Sequence, residues 1–114
     1  MGQINLVRAA LPHIADHGSF TLVSGILGDE FTAASSVGTT VNAMVEGFVK
    51  AAATELPRGI RINCVSHTVL AESTTYHGSF PGFPPVPAAE VALAYLRAVS
   101  TPITGRVLKV HKLG

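Results

Sequence analysis

The stretch that decides the fold is VNAMVEGFVKAAATELPRGIRINCVS, residues 41–66, in which a helical pattern runs directly into a strand pattern. Apolar residues recur at helical spacing through its first part, and Pro57 and Gly59 then end the helix. Residues 61–65 (RINCV) are typical of a short, buried strand. A helix that leads into a buried strand is half of a βαβ unit, so this stretch predicts an α/β fold with parallel strands.

The same alternation extends to both sides of this stretch. The predicted elements are helix 3–17, strand 20–24, helix 36–56, strand 61–65, helix 87–99 and strand 106–111. Ser35 or Ser36 caps the second helix, and Pro87 suits the first turn of the third. Residues 71–87 contain four prolines and predict a long loop. This order predicts one sheet of three parallel strands joined by right-handed crossovers.

Two edges of the predicted sheet are informative. The loops at 25–35, 66–86 and 112–114 all follow strands, and ligands bind at this carboxyl edge of open α/β sheets. In strand 106–111, Val107, Lys109 and His111 alternate with Leu108 and Val110, and charge on one face is typical of an outer strand. The first strand, 20–24, has no predicted neighbour on its other side. We expect either that a partner covers it or that the chain is part of a larger fold.

Composition excludes several classes of function. The chain has 114 residues, 47% of them hydrophobic and 13% charged, with a formal net charge of +1, which favours a single packed domain. Basic residues form no cluster, so we expect no nucleic-acid partner, and no apolar stretch is long enough to predict a membrane span. The single cysteine, Cys64, lies in an apolar run and is interpreted as a core residue. We expect a cytoplasmic location and no metal site.

Three runs of sequence together resemble the carboxyl-terminal half of the short-chain dehydrogenase/reductase family. They are LPHIADHGSFTLVSG (11–25), the stretch 41–66 quoted above, and ITGRVLKVHKLG (103–114). The resemblance implies a Rossmann-like, doubly wound fold that binds NAD or NADP and transfers a hydride to or from a carbonyl or alcohol. It further implies that residues 1–114 form one partial domain that lacks the amino-terminal, cofactor-binding half.

The resemblance also predicts which catalytic residues are absent. Ungapped alignment places the family's serine at Gly25, its tyrosine at Gly38 and its lysine at Asn42, while its asparagine falls just before Met1. Carbonyl reduction needs a proton donor, and a glycine has no proton to give. Ser24 is a candidate substitute for the serine by a shift of one residue. We therefore predict no intact catalytic set and a divergent subgroup of the family.

Cofactor contacts are predicted at the ends of the strands. By the resemblance, Ser24, Asn42, Ser66, His67 and Thr68 are the candidates, because an amide at position 42 can still bond a ribose hydroxyl and His67-Thr68 replace the family's Pro-Gly.

Aromatic side chains leave one alternative open. Tyr76, Phe80 and Phe83 either line a substrate pocket or pin the loop onto the sheet. Neither Tyr76 nor Tyr95 rebuilds the family's tyrosine–lysine pair, because Phe80 and Val99 stand four residues further on.

Two functional hypotheses follow. The first is a divergent or truncated oxidoreductase of this family that is inactive as this chain alone, with a small-molecule substrate that the sequence does not name. The second is a non-catalytic oligomerisation or interaction module that assembles with itself or with a full-length relative, and we expect homo-oligomers to form through helices 3–17 and 36–56. The small residues Ala43, Gly47 and Ala51 on the second of these helices motivate this alternative.

Overall fold

Strands and helices alternate along the described part of the chain, which comprises residues 2–25, 36–67 and 86–110 of the computed structural model. The elements are α1 (Gly2–Ala10), a 3₁₀ turn (Leu11–His13), β1 (Ser19–Gly25), α2 (Ser36–Ala52), β2 (Arg61–His67), α3 (Ala88–Ser100) and β3 (Val107–Val110). All strand pairs are parallel, in the order β1-β2-β3. The predicted α/β fold with three parallel strands is confirmed. Within these ranges, no helix has the length and apolar character needed to cross a bilayer.

Two predicted helix boundaries are wrong. The helix predicted over 3–17 ends at Ala10, because Pro12 in the following turn has no N–H to donate. The helix predicted to end at residue 56 stops at Ala52, and a tight turn follows in which Thr54 N–H donates to the Ala51 carbonyl. Proline at position 57 disfavours a helical conformation in the residue before it. The loop predicted over 71–87 lies outside the described residues except at its last two positions.

Helices cover both faces of the sheet. On one face, Leu22, Ile62 and Cys64 pack against Val45 and Val49 of α2, and Val7 of α1 joins the same cluster. On the other face, Val65 packs with Val86 and with Val91 of α3. Side chains alternate between the two faces of a strand, so consecutive residues of β2 enter different clusters. Cys64 is fully buried, as its apolar surroundings predict.

Hydrogen bonds join the segment before β1 to the segment before β2, at three residues with left-handed backbone conformations that we call the left-handed turn. His17, Arg58 and Gly59 all have positive φ angles, of 62°, 60° and 70°. The His17 N–H donates to the Arg58 carbonyl at 2.8 Å, and the Arg58 guanidinium donates to the carbonyl oxygens of Leu11 and Ile14. These bonds satisfy carbonyl groups of the segment that follows α1.

Two polar residues of β2 hold the segment between α3 and β3. The Arg61 guanidinium donates to the carbonyl oxygens of Ala98 and Val99 at 2.9 and 2.8 Å, and also to that of Thr101. Asn63, which is fully buried, donates to the Ile103 carbonyl at 2.9 Å and accepts from the Arg106 N–H at 3.1 Å. Side chains of β2 therefore fix where β3 begins.

Candidate functional site

Several of the predicted site residues lie at one edge of the sheet, where the strands end. In the register of β1 and β2, Ser24 lies opposite Ser66 and Gly25 lies opposite His67. Val110 of β3 lies on the other side of His67. Because the strands are parallel, this is the carboxyl edge at which open α/β sheets bind ligands. Thr68, the remaining predicted contact on this edge, lies outside the described residues.

Ser24 is engaged by a buried acid that the sequence interpretation did not include. Its hydroxyl donates to Glu46 Oε2 at 2.5 Å, and both residues are buried, with 4% and 7% of their surfaces exposed. Glu46 lies on α2, which packs on the same face of the sheet as Leu22. The structure thus directs the Ser24 side chain into the contact between β1 and α2.

One face of α2 carries Gly38, Asn42 and Glu46. These residues are spaced by four, so they lie on successive turns of the helix along one side. Gly38 and Asn42 are the positions that the resemblance assigns to the tyrosine and the lysine. Asn42 is half-buried, and Glu46 is the next position on this face. That spacing is the signal by which Glu46 could have been found from the sequence, once Gly38 and Asn42 had been aligned.

Tyr95 lies away from this face of α2. It belongs to α3 and packs against the cluster around Val65, on the opposite side of the sheet. Burial raises the pKa of its phenol, and the nearby Cys64 thiol raises that pKa further. The raised pKa favours the protonated phenol. Because Tyr95 and Asn42 lie on opposite sides of the sheet, Tyr95 cannot pair with Asn42 as the family's tyrosine pairs with its lysine. Tyr76, Phe80 and Phe83 lie outside the described residues.

The chemistry available at this edge is that of hydrogen bonding. Ser66 is fully buried, His67 is half-buried, and Asn42 offers a carboxamide that can both donate and accept. Groups of this kind can form hydrogen bonds with hydroxyl and amide groups of a ligand. Over the described ranges, no three His, Cys, Asp or Glu side chains lie close enough together to hold a metal.

A parallel sheet covered by helices on both faces, with polar groups at its carboxyl edge, is typical of the doubly wound class of α/β folds. The family model described as enoyl-(acyl carrier protein) reductase matches residues 1–108. Solved structures of similar fold include one described as a short-chain dehydrogenase/reductase family protein. The chain belongs to the short-chain dehydrogenase/reductase family. No protein with a curated description matches it.

Three solved structures illustrate the similarity. The protein lin1944 from Listeria innocua is 44% identical, with a TM-score of 0.93 over 96% of this chain and 56% of its own. A small-chain dehydrogenase in complex with NADPH is 27% identical, with a TM-score of 0.82 over 96% of this chain and 57% of its own. The NADH-dependent enoyl-[acyl-carrier-protein] reductase from Aquifex aeolicus VF5, at 22% identity and a TM-score of 0.77 over 96% of this chain and 45% of its own, shows the fold alone. The chain thus spans about half the length of these proteins.

Proposed function

We propose that this chain forms the substrate-side half of an oxidoreductase that uses NAD or NADP to interconvert a small carbonyl compound and its alcohol. The observation that carries the proposal is the meeting of Ser24, Ser66 and His67 at the carboxyl edge, beside the face of α2 that bears Asn42. Membership of the family supports the cofactor class, as does the similar small-chain dehydrogenase described in complex with NADPH.

The residues on this edge define what the chain contributes. A bound nicotinamide cofactor supplies or accepts the hydride. Asn42 is placed to bond a ribose hydroxyl through its carboxamide. His67, an ionisable residue at the end of β2, provides a polar contact for the substrate.

We also propose that the 114-residue chain by itself does not turn over substrate. Gly25 and Gly38 cannot hold or donate a proton, and Asn42 carries no charge to activate a neighbouring phenol. The chain also spans only 56% of lin1944.

The test compares two purified proteins: this chain, and the product of the complete reading frame that contains it. Each is titrated with NADPH and with NADH by following cofactor fluorescence, and then mixed with an α-diketone while cofactor oxidation is recorded. We expect binding by the longer protein only, weakened about tenfold by Asn42→Ala and unchanged by Lys50→Ala, an exposed residue on the same helix. Cofactor oxidation by the 114-residue chain that Ser24→Ala or His67→Ala abolishes would refute the proposed inactivity of this chain alone. A product of the complete reading frame that binds neither NADPH nor NADH would refute the proposed oxidoreductase.

A second candidate function is self-association through α1 and α2. Leu6 and Met44 are exposed large apolar residues on these helices, with 67% and 47% of their surfaces accessible. The small residues Ala43, Gly47 and Ala51 are exposed on α2 and permit close approach of another helix. We expect a dimer or larger homo-oligomer in light scattering. Ala51→Glu should dissociate it, whereas Ala92→Glu, on the exposed side of α3, should not. A wild-type protein that is monomeric at all concentrations and salt levels tested would exclude this candidate.

A further inference from the structure

Glu46 is an acid placed where packing alone calls for an apolar side chain. Its neighbours on α2, Val45 and Val49, are fully buried core residues, and Glu46 itself is 7% exposed. The carboxylate accepts one hydrogen bond, from the Ser24 hydroxyl at 2.5 Å. No salt bridge joins Glu46 to a cationic side chain of the described residues.

Packing alone does not require this pair. A buried carboxyl group must keep a hydrogen-bond partner, and here the Ser24 hydroxyl supplies it. A leucine or methionine at position 46 and an alanine at position 24 would fill the same space without a polar group to satisfy. Departures from the rules of core packing of this kind are found at functional sites.

The position of the pair indicates which site it serves. Ser24 precedes Gly25, the last residue of β1, and Glu46 follows Asn42 by one turn on the same face of α2. The hydrogen bond therefore joins the end of the strand to the helix face on which the proposed cofactor contact lies. No other side-chain hydrogen bond between the described parts of β1 and α2 is present.

We propose that Glu46 is a positioning residue of this site: through the Ser24 hydroxyl it fixes the end of β1 against Asn42, in the geometry that the nicotinamide cofactor requires. The inference rests on the proposed function. It assigns to Glu46 no contact with the cofactor or substrate, and it assigns the pair a role in ligand binding rather than in stabilising the fold.

The test separates these two roles in the protein made from the complete reading frame that contains this chain. The free energy of unfolding in urea and the Kd for NADPH are measured for the wild type, Glu46→Gln, and the double variant Ser24→Ala/Glu46→Leu. Glutamine keeps an oxygen that accepts from Ser24, whereas the double variant replaces both partners with apolar groups of similar shape. Thr21→Val is the matched control. It removes another hydroxyl of β1, one that is buried without a hydrogen-bond partner among the described residues.

We expect the double variant to be at least as stable as the wild type, yet to bind NADPH about ten- to a hundredfold more weakly. Glu46→Gln should retain a Kd for NADPH within about threefold of that of the wild type, and Thr21→Val should leave the Kd unchanged. Wild-type affinity in the double variant would overturn the inference and leave the proposed function standing. A double variant that no longer folds would also overturn it, because the pair would then support the fold itself. A wild-type protein that binds neither NADPH nor NADH would overturn the proposed function, and this inference with it.

Discussion

The carboxamide of Gln3 forms two hydrogen bonds with the backbone of Val23. Gln3 Nε2 donates to the Val23 carbonyl at 2.9 Å, and the Val23 N–H donates to Gln3 Oε1 at 2.8 Å. β1 is an outer strand of the described sheet. Gln3 therefore bonds to the N–H and carbonyl of Val23 in the way that a neighbouring strand would. One side chain of α1 thus shields part of an edge at which another strand could pair.

Replacing Gln3 with alanine should expose this part of β1. We expect faster hydrogen exchange at the Val23 amide and a loss of about 1 kcal/mol in the free energy of unfolding, because two backbone groups lose their partners to water. The measurement is amide exchange followed by NMR, with Asn5→Ala on the exposed side of α1 as the control. An unchanged exchange rate at Val23 would contradict the role given to Gln3.

Two glycines should respond in opposite directions to alanine. Gly59 has a φ of +70°, and a Cβ there would lie 2.4 Å from His17 Nδ1, so we expect Gly59→Ala to destabilise the fold by about 2 kcal/mol. Gly47 lies in the middle of α2 with nothing within 4 Å of an added Cβ, so Gly47→Ala should stabilise it by about 0.5–1 kcal/mol.

Urea denaturation of both glycine variants measures the contrast. The double variant His17→Ala/Gly59→Ala should recover the steric part of the loss but not the part that arises from the positive φ. Equal stability of the two single variants would show that the left-handed turn is not strained by a side chain.

Asn63 should be among the least replaceable residues of the chain. It is fully buried, and Asn63→Ala leaves the Ile103 carbonyl and the Arg106 N–H without their partner, so we expect a loss of about 2–3 kcal/mol. Asn63→Asp keeps an acceptor for Arg106 but sets a carboxylate against the Ile103 carbonyl, and it should cost more at neutral pH. Thermal unfolding checks the order of the two variants. Aspartate more stable than alanine would contradict the contact with Ile103.

Tyr95 should make stability fall at alkaline pH. Burial, and then the neighbouring Cys64, raise the pKa of its phenol above the ordinary value of about 10. The folded state therefore holds the phenol proton more tightly than the unfolded chain does. This contribution is fully present below the unfolded pKa and is lost as pH rises through the folded pKa. In urea titrations from about pH 8 to 11, Tyr95→Phe should reduce the alkaline loss of stability. A slope identical to that of the wild type would exclude Tyr95 as its source.

The sequence carried enough information for the order and direction of the elements but not for their ends. Apolar periodicity is strong in α2 and α3, and the strands are short runs of strand-forming residues, so each element is predicted within a few positions. The end of the first helix was misplaced because apolar spacing continues past Pro12, although the backbone cannot remain helical there. Local pattern does not report where a helix loses its hydrogen bonds.

The site was predicted only in part, for a different physical reason. Ser24, Ser66 and His67 follow from the strand ends, because parallel strands place their carboxyl termini together. Glu46 and Gln3 were missed because each acts through a partner at least 20 residues away in the chain, Ser24 for Glu46 and Val23 for Gln3. On a helical wheel, Glu46 falls outside the apolar stripe, and the structure shows that the buried side of α2 is wider than that stripe.

Arg61 and Asn63 give β2 a role beyond pairing with its neighbours. Both side chains bind carbonyl or N–H groups between Ala98 and Arg106, so the end of α3 and the start of β3 depend on a strand that lies earlier in the chain. Opening of this segment must break these bonds together, which makes α3, its connection and β3 a single cooperative unfolding unit. In native-state hydrogen exchange, their amides should therefore share one opening free energy, while α1 exchanges independently of them.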